Sequence, residues 1–193
     1  MEDCLNPNLN SSSLDTRSST FDPQSSIFHP RSSYLLLELP HEQILPIGRL
    51  IYELQSLRVA SILSHPERNK GLQANPEILR PWVQQGCLIQ VTAGSITGDF
   101  GPEARQVSRW LFRQNLVHLV ASDAHDVQAR PPGWRQAFAK IRAWEGQERA
   151  TRVFFENPDA VVEGRPIDSP LPSSTSRTSF AGWFGSALAA LRG

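Results

Sequence analysis

The shortages in this chain come first, because each excludes something. Of 193 residues only 2 are cysteine: Cys4 near the start and Cys87 beside an apolar run. A disulfide framework is not expected, and a reducing compartment fits. No apolar run approaches the roughly 18–20 residues that span a bilayer. The N-terminus lacks the basic region and apolar stretch of a secretory signal, so the cytoplasm is the simplest expectation. Neither sign of charge dominates, with Lys+Arg 19 against Asp+Glu 19. That gives no global pull toward nucleic acid, which is not expected as a partner. Hydrophobic residues make up 39%, and the deficit falls at the two ends, so the ordered core is expected to be shorter than the chain.

What is present divides into three stretches. Residues 1–32 are dominated by Ser, Asn, Asp and Pro with no apolar period, and read as a disordered leader. Residues 33–167 carry the domain. Residues 168–193 form a Ser/Pro-rich linker and a short tail with Phe180, Trp183, Phe184, Leu188 and Leu191 on one face. That tail reads either as a helix touching a membrane surface or a partner, peripheral at most, or as a frayed helix on the domain.

Within the domain, strand-like and helix-like patterns alternate. Apolar runs at Tyr34–Leu39, Val59–Leu63, Leu88–Thr92 and Leu116–Ala121 predict buried strands. Helical spacing is predicted over Ile44–Leu57, and from Pro76 toward Gln85 with a kink or break at Pro81 and a stop at Gly86. Further helices are predicted at Pro102–Gln114, Trp134–Trp144, Glu148–Phe155 and a last short one opened by Asn157-Pro158. The stretch Thr92–Gly101, rich in Gly, Ser and Thr, reads as a flexible loop. Strand–helix alternation implies an α/β fold with about four parallel strand–helix units and right-handed crossovers.

Chemistry collects at the strand ends. Glu38 breaks the first run, and a lone carboxylate there needs a cation, a metal or hydrogen bonds, unless it reaches water. His65 follows the second strand and shares the parity of Val59, Ser61 and Leu63, taken as the inward face. Asp123 ends the fourth on the face of Val117, Leu119 and Ala121, and His125 shares its parity if the extended geometry continues. His118 has the opposite parity and reads as a satisfied core histidine. His29 reads as a tail residue and His41 as an exposed loop residue. Parallel strands put their ends on one rim, where functional groups gather. A mixed His/carboxylate set of this kind suits Mn, Zn or Fe rather than Ca, and generates hydroxide near neutral pH. Arg68 and Arg130 are candidates to neutralise phosphate oxygens, against surface pairing of Arg68 with Glu67 or Glu77. Together these residues point to metal-dependent phosphoester hydrolysis.

Five motifs in order then carry a resemblance: Tyr34–Pro40 with Glu38-Leu39-Pro40, Ser64-His65-Pro66-Glu67-Arg68, Gly94–Gly101, His118–His125, and Glu156-Asn157-Pro158. Over roughly residues 33–167 the chain resembles the bacterial manganese-dependent tyrosine-protein phosphatases of the CpsB/YwqE type in the PHP superfamily. The resemblance implies a distorted β/α barrel with metal ions at the strand ends. It implies phosphotyrosine hydrolysis, with a tyrosine kinase of capsule or exopolysaccharide assembly as the protein substrate. By position Glu38, His65, Asp123 and His125 match metal ligands, with Mn²⁺ as the ion, and Arg68 and Arg130 match arginines that hold phosphate. The Glu-Leu-Pro and His-Pro-Glu-Arg motifs favour this branch over PHP enzymes acting on histidinol phosphate or other small esters. The family's opening His-x-His strand has no counterpart in the chain, so the barrel is expected to be incomplete. The alternative is therefore a catalytically inactive remnant or binding protein.

Overall fold

The computed structural model describes residues 33–128 and 132–167. Four strands form one parallel sheet in the order β1-β2-β3-β4: β1 Ser33–Leu37, β2 Val59–Ser64, β3 Leu88–Thr92 and β4 Leu119–Ala121. This is the parallel α/β arrangement that the alternating pattern predicts. All four carboxyl ends lie on one rim.

The helices between them are short. Helix α1 (Gly48–Ser56) starts later than its apolar spacing suggests, because Pro46 lacks an N–H and disfavours helix at the residue before it. After β2 comes a 3₁₀ turn, Pro66–Arg68, then α2 (Lys70–Ala74), a second 3₁₀ turn at Pro76–Ile78 and α3 (Leu79–Gln84). The expected break is thus present, at Ile78 rather than at Pro81. Pro81 falls in the first turn of α3, where no intrahelical N–H is needed.

Three expectations are corrected beyond β3. Ala93–Thr97 is a helix, α4, not a flexible loop: Ala93 and Ile96 are buried, and that burial outweighs the weak helix preference of Gly, Ser and Thr. Helix α5 (Gly101–Arg113) then leads to β4. Regular pairing in β4 begins only at Leu119 because the Ile89 N–H donates to His118 Nδ1 (3.0 Å) instead of a backbone carbonyl. Helix α6 (Arg135–Glu145) is followed by α7 (Gln147–Thr151), which runs through a π turn (Arg152–Glu156) into α8 (Asn157–Val162) without interruption. Asn157 is therefore not a cap. Its side-chain amide donates to the His118 carbonyl (2.7 Å), a tertiary bond that replaces the predicted local one.

The sheet has two unequal faces. Leu63, Ile89, Val91 and Val120 point into the large core, where Ile51, Leu79, Val107 and Leu111 pack from the helices. On the opposite face Ile62, Leu88 and Leu119 form a small cluster under Tyr34, Val161 and Ile167. Tyr34 Oη donates to the Arg165 carbonyl (2.6 Å) and ties this cover down. Strand β1 is an edge of the described sheet with Leu35 and Leu36 exposed, so the run is a strand as predicted but not a buried one. No described helix is long and apolar enough to cross a membrane.

Candidate active site

The rim is built by backbone that leaves strand geometry. His65 directly follows β2 in the left-handed region at φ 33°, and Asp123 does the same beyond β4 at φ 53°. Such values are uncommon outside glycine and persist only where surrounding contacts hold them. They also overturn the parity argument. Leu63 faces the helix-side core and Leu119 the opposite cluster, so alternation alone would aim His65 and Asp123 to opposite sides. The two left-handed residues turn them back toward each other.

Three side chains, of which only Asp123 was predicted, meet around Arg68. Its Nη1 donates to Asp123 Oδ2 at 2.6 Å, and both side chains are mostly shielded from water. Its Nη2 lies 3.1 Å from His41 Nε2. Its guanidinium carbon stacks 4.3 Å from the Phe100 ring centroid. The surface pairing with Glu67 or Glu77 considered for Arg68 is displaced by these contacts. His65 Nε2 faces Glu38 Oε1 at 3.4 Å; the imidazole is buried and Glu38 is 60% exposed. Burial first, then the Arg68 charge, lowers the His65 pKa below its ordinary value, against the raising pull of Glu38 and Asp123. At neutral pH the imidazole is uncharged, so its contact with Glu38 is not an ion pair, and a nitrogen lone pair is available to a metal.

Two sequence expectations did not assemble. The turn at Asp123 ends the extended geometry, and His125 bends back so that its Nδ1 lies 2.9 Å from the Asp123 carbonyl. His125 is exposed and does not share the orientation of Asp123. Arg130 and both predicted tails lie outside the described residues. Among those described, no group of three or more His, Cys, Asp or Glu side chains is close enough to hold an ion. The Glu38–His65 pair, 3.4 Å apart, is a mixed carboxylate/imidazole donor set of the kind that suits a transition-metal ion.

His41 is the residue that sequence reasoning missed. Its loop is fastened by Asn69, whose side-chain amide donates to the carbonyls of Pro40 (2.6 Å) and Gln43 (2.8 Å) while its oxygen caps α2 at Leu72 N. The Lys70 N–H donates to the His41 carbonyl (2.8 Å). The His41 ring centre comes within 5.7 Å of that of His65. The one signal in the sequence was its place three residues after Glu38. His118, by contrast, is the core histidine that parity predicted, buried to 1% exposure.

Residues 19–163 match the sequence model of the family described as capsular polysaccharide synthesis, CpsB/CapC. The chain belongs to the CpsB/CapC family. It is similar to CapC of Staphylococcus aureus, at 34% identity over 155 residues, 79% of this chain and 59% of that protein. It is also similar to the tyrosine-protein phosphatase YwqE of Bacillus subtilis, at 32% over 152 residues, 78% and 59%. In three dimensions it resembles a chain from the crystal structures of Bacillus subtilis YwqE and Streptococcus pneumoniae CpsB, described as unique metal-dependent tyrosine phosphatases. The TM-score is 0.70 at 32% identity, covering 75% of this chain and 58% of that one. The four-stranded α/β unit therefore has the CpsB/YwqE-type fold, and the chain spans 59% of the length of these two curated relatives.

Proposed function

We propose that this CpsB/CapC domain hydrolyses phosphotyrosine in proteins by metal-dependent phosphomonoester cleavage, with Mn²⁺ as the ion. A tyrosine kinase of capsule or exopolysaccharide assembly is the expected substrate. The observation that carries the reading is Arg68, clasped by Asp123, His41 and Phe100 on the same rim as the Glu38–His65 donor pair.

In this reading Glu38, His65, Asp123 and His125 would hold the metal, with His125 turning away from the Asp123 carbonyl to do so. When bound, the ion supplies Lewis acidity and a hydroxide near neutral pH. Arg68 presents a planar fork of five N–H donors, of which the observed contacts use two, leaving others for phosphate oxygens. The Phe100 ring fixes the plane of that fork, and Asp123 and His41 fix its rotation. Arg130 is the second phosphate holder. Neutral His65 keeps a donor lone pair at working pH, and its burial keeps competing water from that face.

The test is hydrolysis of para-nitrophenyl phosphate and of a phosphotyrosine peptide by the purified chain with added Mn²⁺. Turnover that EDTA abolishes, and that both His65→Ala and Asp123→Ala remove, supports the reading. No turnover together with no bound metal rejects it in favour of a binding protein.

A further inference from the structure

The turn that carries His65 and Arg68 has a third ionisable residue, and it points the other way. Glu67 lies between them in sequence, yet its side chain is wholly buried. Its Oε1 accepts from the Thr92 N–H (2.9 Å) at the end of β3 and from Ser95 Oγ (2.6 Å) in α4. Its backbone carbonyl accepts from Gln73 Nε2 (2.8 Å) in the adjoining α2. The turn is therefore fastened on its inner side to β3 and α4, and on its outer side to the helix that follows it.

Helix α4 also sets the Arg68 side chain. The Phe100 ring lies so close over Gly94 that a Cβ there would meet Phe100 Cε2 at 2.7 Å. That ring is the surface on which the guanidinium rests. Arg68 is thus referred to α4 twice, through its backbone by way of Glu67 and through its side chain by way of Phe100. A carboxylate spent on holding a catalytic turn in a buried place is costly to desolvate, so its position calls for a return beyond filling space.

We propose that Glu67 is a positioning residue, whose clamp on Thr92 and Ser95 sets His65 and Arg68 in register with each other at the rim. This inference rests on the phosphatase reading for its kinetic consequence but not for its geometry. Glu67 touches neither substrate nor metal. It acts through the turn, as outer-shell partners of a metal site do, where loss typically costs about 10–100-fold in affinity or activity.

The test compares the full chain as wild type, Glu67→Ala and Glu67→Gln, with Ser95→Ala as the milder lesion if alanine at 67 prevents folding. Glutamine keeps the accepting oxygen and alters only Oε2, which has no hydrogen-bond partner. Mn²⁺ affinity is read by calorimetry, KM and kcat on para-nitrophenyl phosphate at saturating Mn²⁺, and amide exchange at Arg68 and Asn69. Those two N–H groups close the turn by donating to His65 O and Pro66 O. The expected result is about a tenfold loss in Mn²⁺ affinity, about a tenfold rise in KM and accelerated exchange at both amides in Glu67→Ala. Glu67→Gln stays within about threefold of wild type, because the rescued acceptor is what matters. Ser95→Ala falls between. A folded Glu67→Ala with wild-type affinity, KM and exchange overturns the proposal, as does a Glu67→Gln as damaged as the alanine variant. If the wild type neither turns over nor binds Mn²⁺, the phosphatase reading fails. The exchange at Arg68 and Asn69 then decides the role of Glu67 alone.

Discussion

The interior between β3 and β4 and the rim above it each hold a buried histidine, and they do so in opposite ways. His118 spends its Nδ1 on the Ile89 N–H and its carbonyl on Asn157, so the imidazole serves as one rung of the sheet. His65 sits in left-handed backbone with its Nε2 facing a half-exposed carboxylate. Burial lowers the pKa of both. Burial alone therefore does not separate structure from chemistry. The partner does: an amide that needs an acceptor in one place, a second metal-competent donor in the other.

The contrast breaks most sharply in the interior. Leu111 is fully buried in the large core, and Leu111→Ala is expected to cost about 2–5 kcal/mol of stability by transfer and cavity terms. Denaturant unfolding measures it, and Mn²⁺-dependent turnover per folded molecule should not change. The rim shows the reverse. Arg68→Ala is expected to lower kcat/KM on aryl phosphate at least about 100-fold, near 3 kcal/mol. Arg68→Lys restores little, because a point charge cannot span Asp123 and His41 while lying flat on Phe100. Thermal unfolding of both variants should stay close to wild type. An Arg68→Ala enzyme with ordinary kinetics would erase the distinction.

His118 sharpens the interior side through pH. Burial first, then the nearby Arg149 charge, pushes its pKa from 6.5 to about 4, against the raising pull of a backbone bond. Arg149 is the charged neighbour from the helical side, its Nη2 donating to the Val117 carbonyl. The folded value lies below the unfolded one, so the unfolded chain binds the extra proton first. The stability tied to neutral His118 is complete above about pH 6.5 and is lost progressively as pH falls toward 4. Linkage makes the loss about 3 kcal/mol. His118→Gln, compared with wild type by urea unfolding from pH 7 to pH 4, should flatten that part of the curve. An unchanged slope would place the acid sensitivity elsewhere.

The sequence was legible where the period of the backbone persisted. Four strands, their parallel direction and the core role of His118 follow from apolar runs and alternation, since side-chain direction there is set by position. Legibility stopped where the period stopped. His65 and Asp123 were identified as residues, but what turns them together is positive φ at two non-glycine positions, which no spacing rule announces. The parity argument for His125 fails for the same reason, because the bend at Asp123 removes the extended geometry it required. His41 stayed hidden because its loop is placed by Asn69, 28 positions further on, through bonds to Pro40 and Gln43. Helix α4 was masked by composition: Gly94, Ser95 and Thr97 are poor helix formers, and the burial of Ala93 and Ile96 is a tertiary fact.

The smallest expected effect tests how finely the rim is set. Gly94 does not have positive φ; it is needed because of the Phe100 ring, whose Cε2 and Cδ2 would lie 2.7 and 3.0 Å from an added Cβ, with Asp99 Oδ2 at 3.4 Å. In Gly94→Ala the ring must shift, and the guanidinium resting on it loses its floor. Alanine is at the same time the better helix former by about 1 kcal/mol, so the strain and the propensity gain nearly offset in stability. The expected outcome is therefore a Tm within a few degrees of wild type together with a several-fold rise in KM. Phe100→Leu should raise KM similarly by removing the stacked ring without crowding Gly94. If Gly94→Ala lowers Tm sharply with KM unchanged, Gly94 and Phe100 belong to the packing of α4 rather than to the rim. The stacking of Arg68 on the ring would then be incidental.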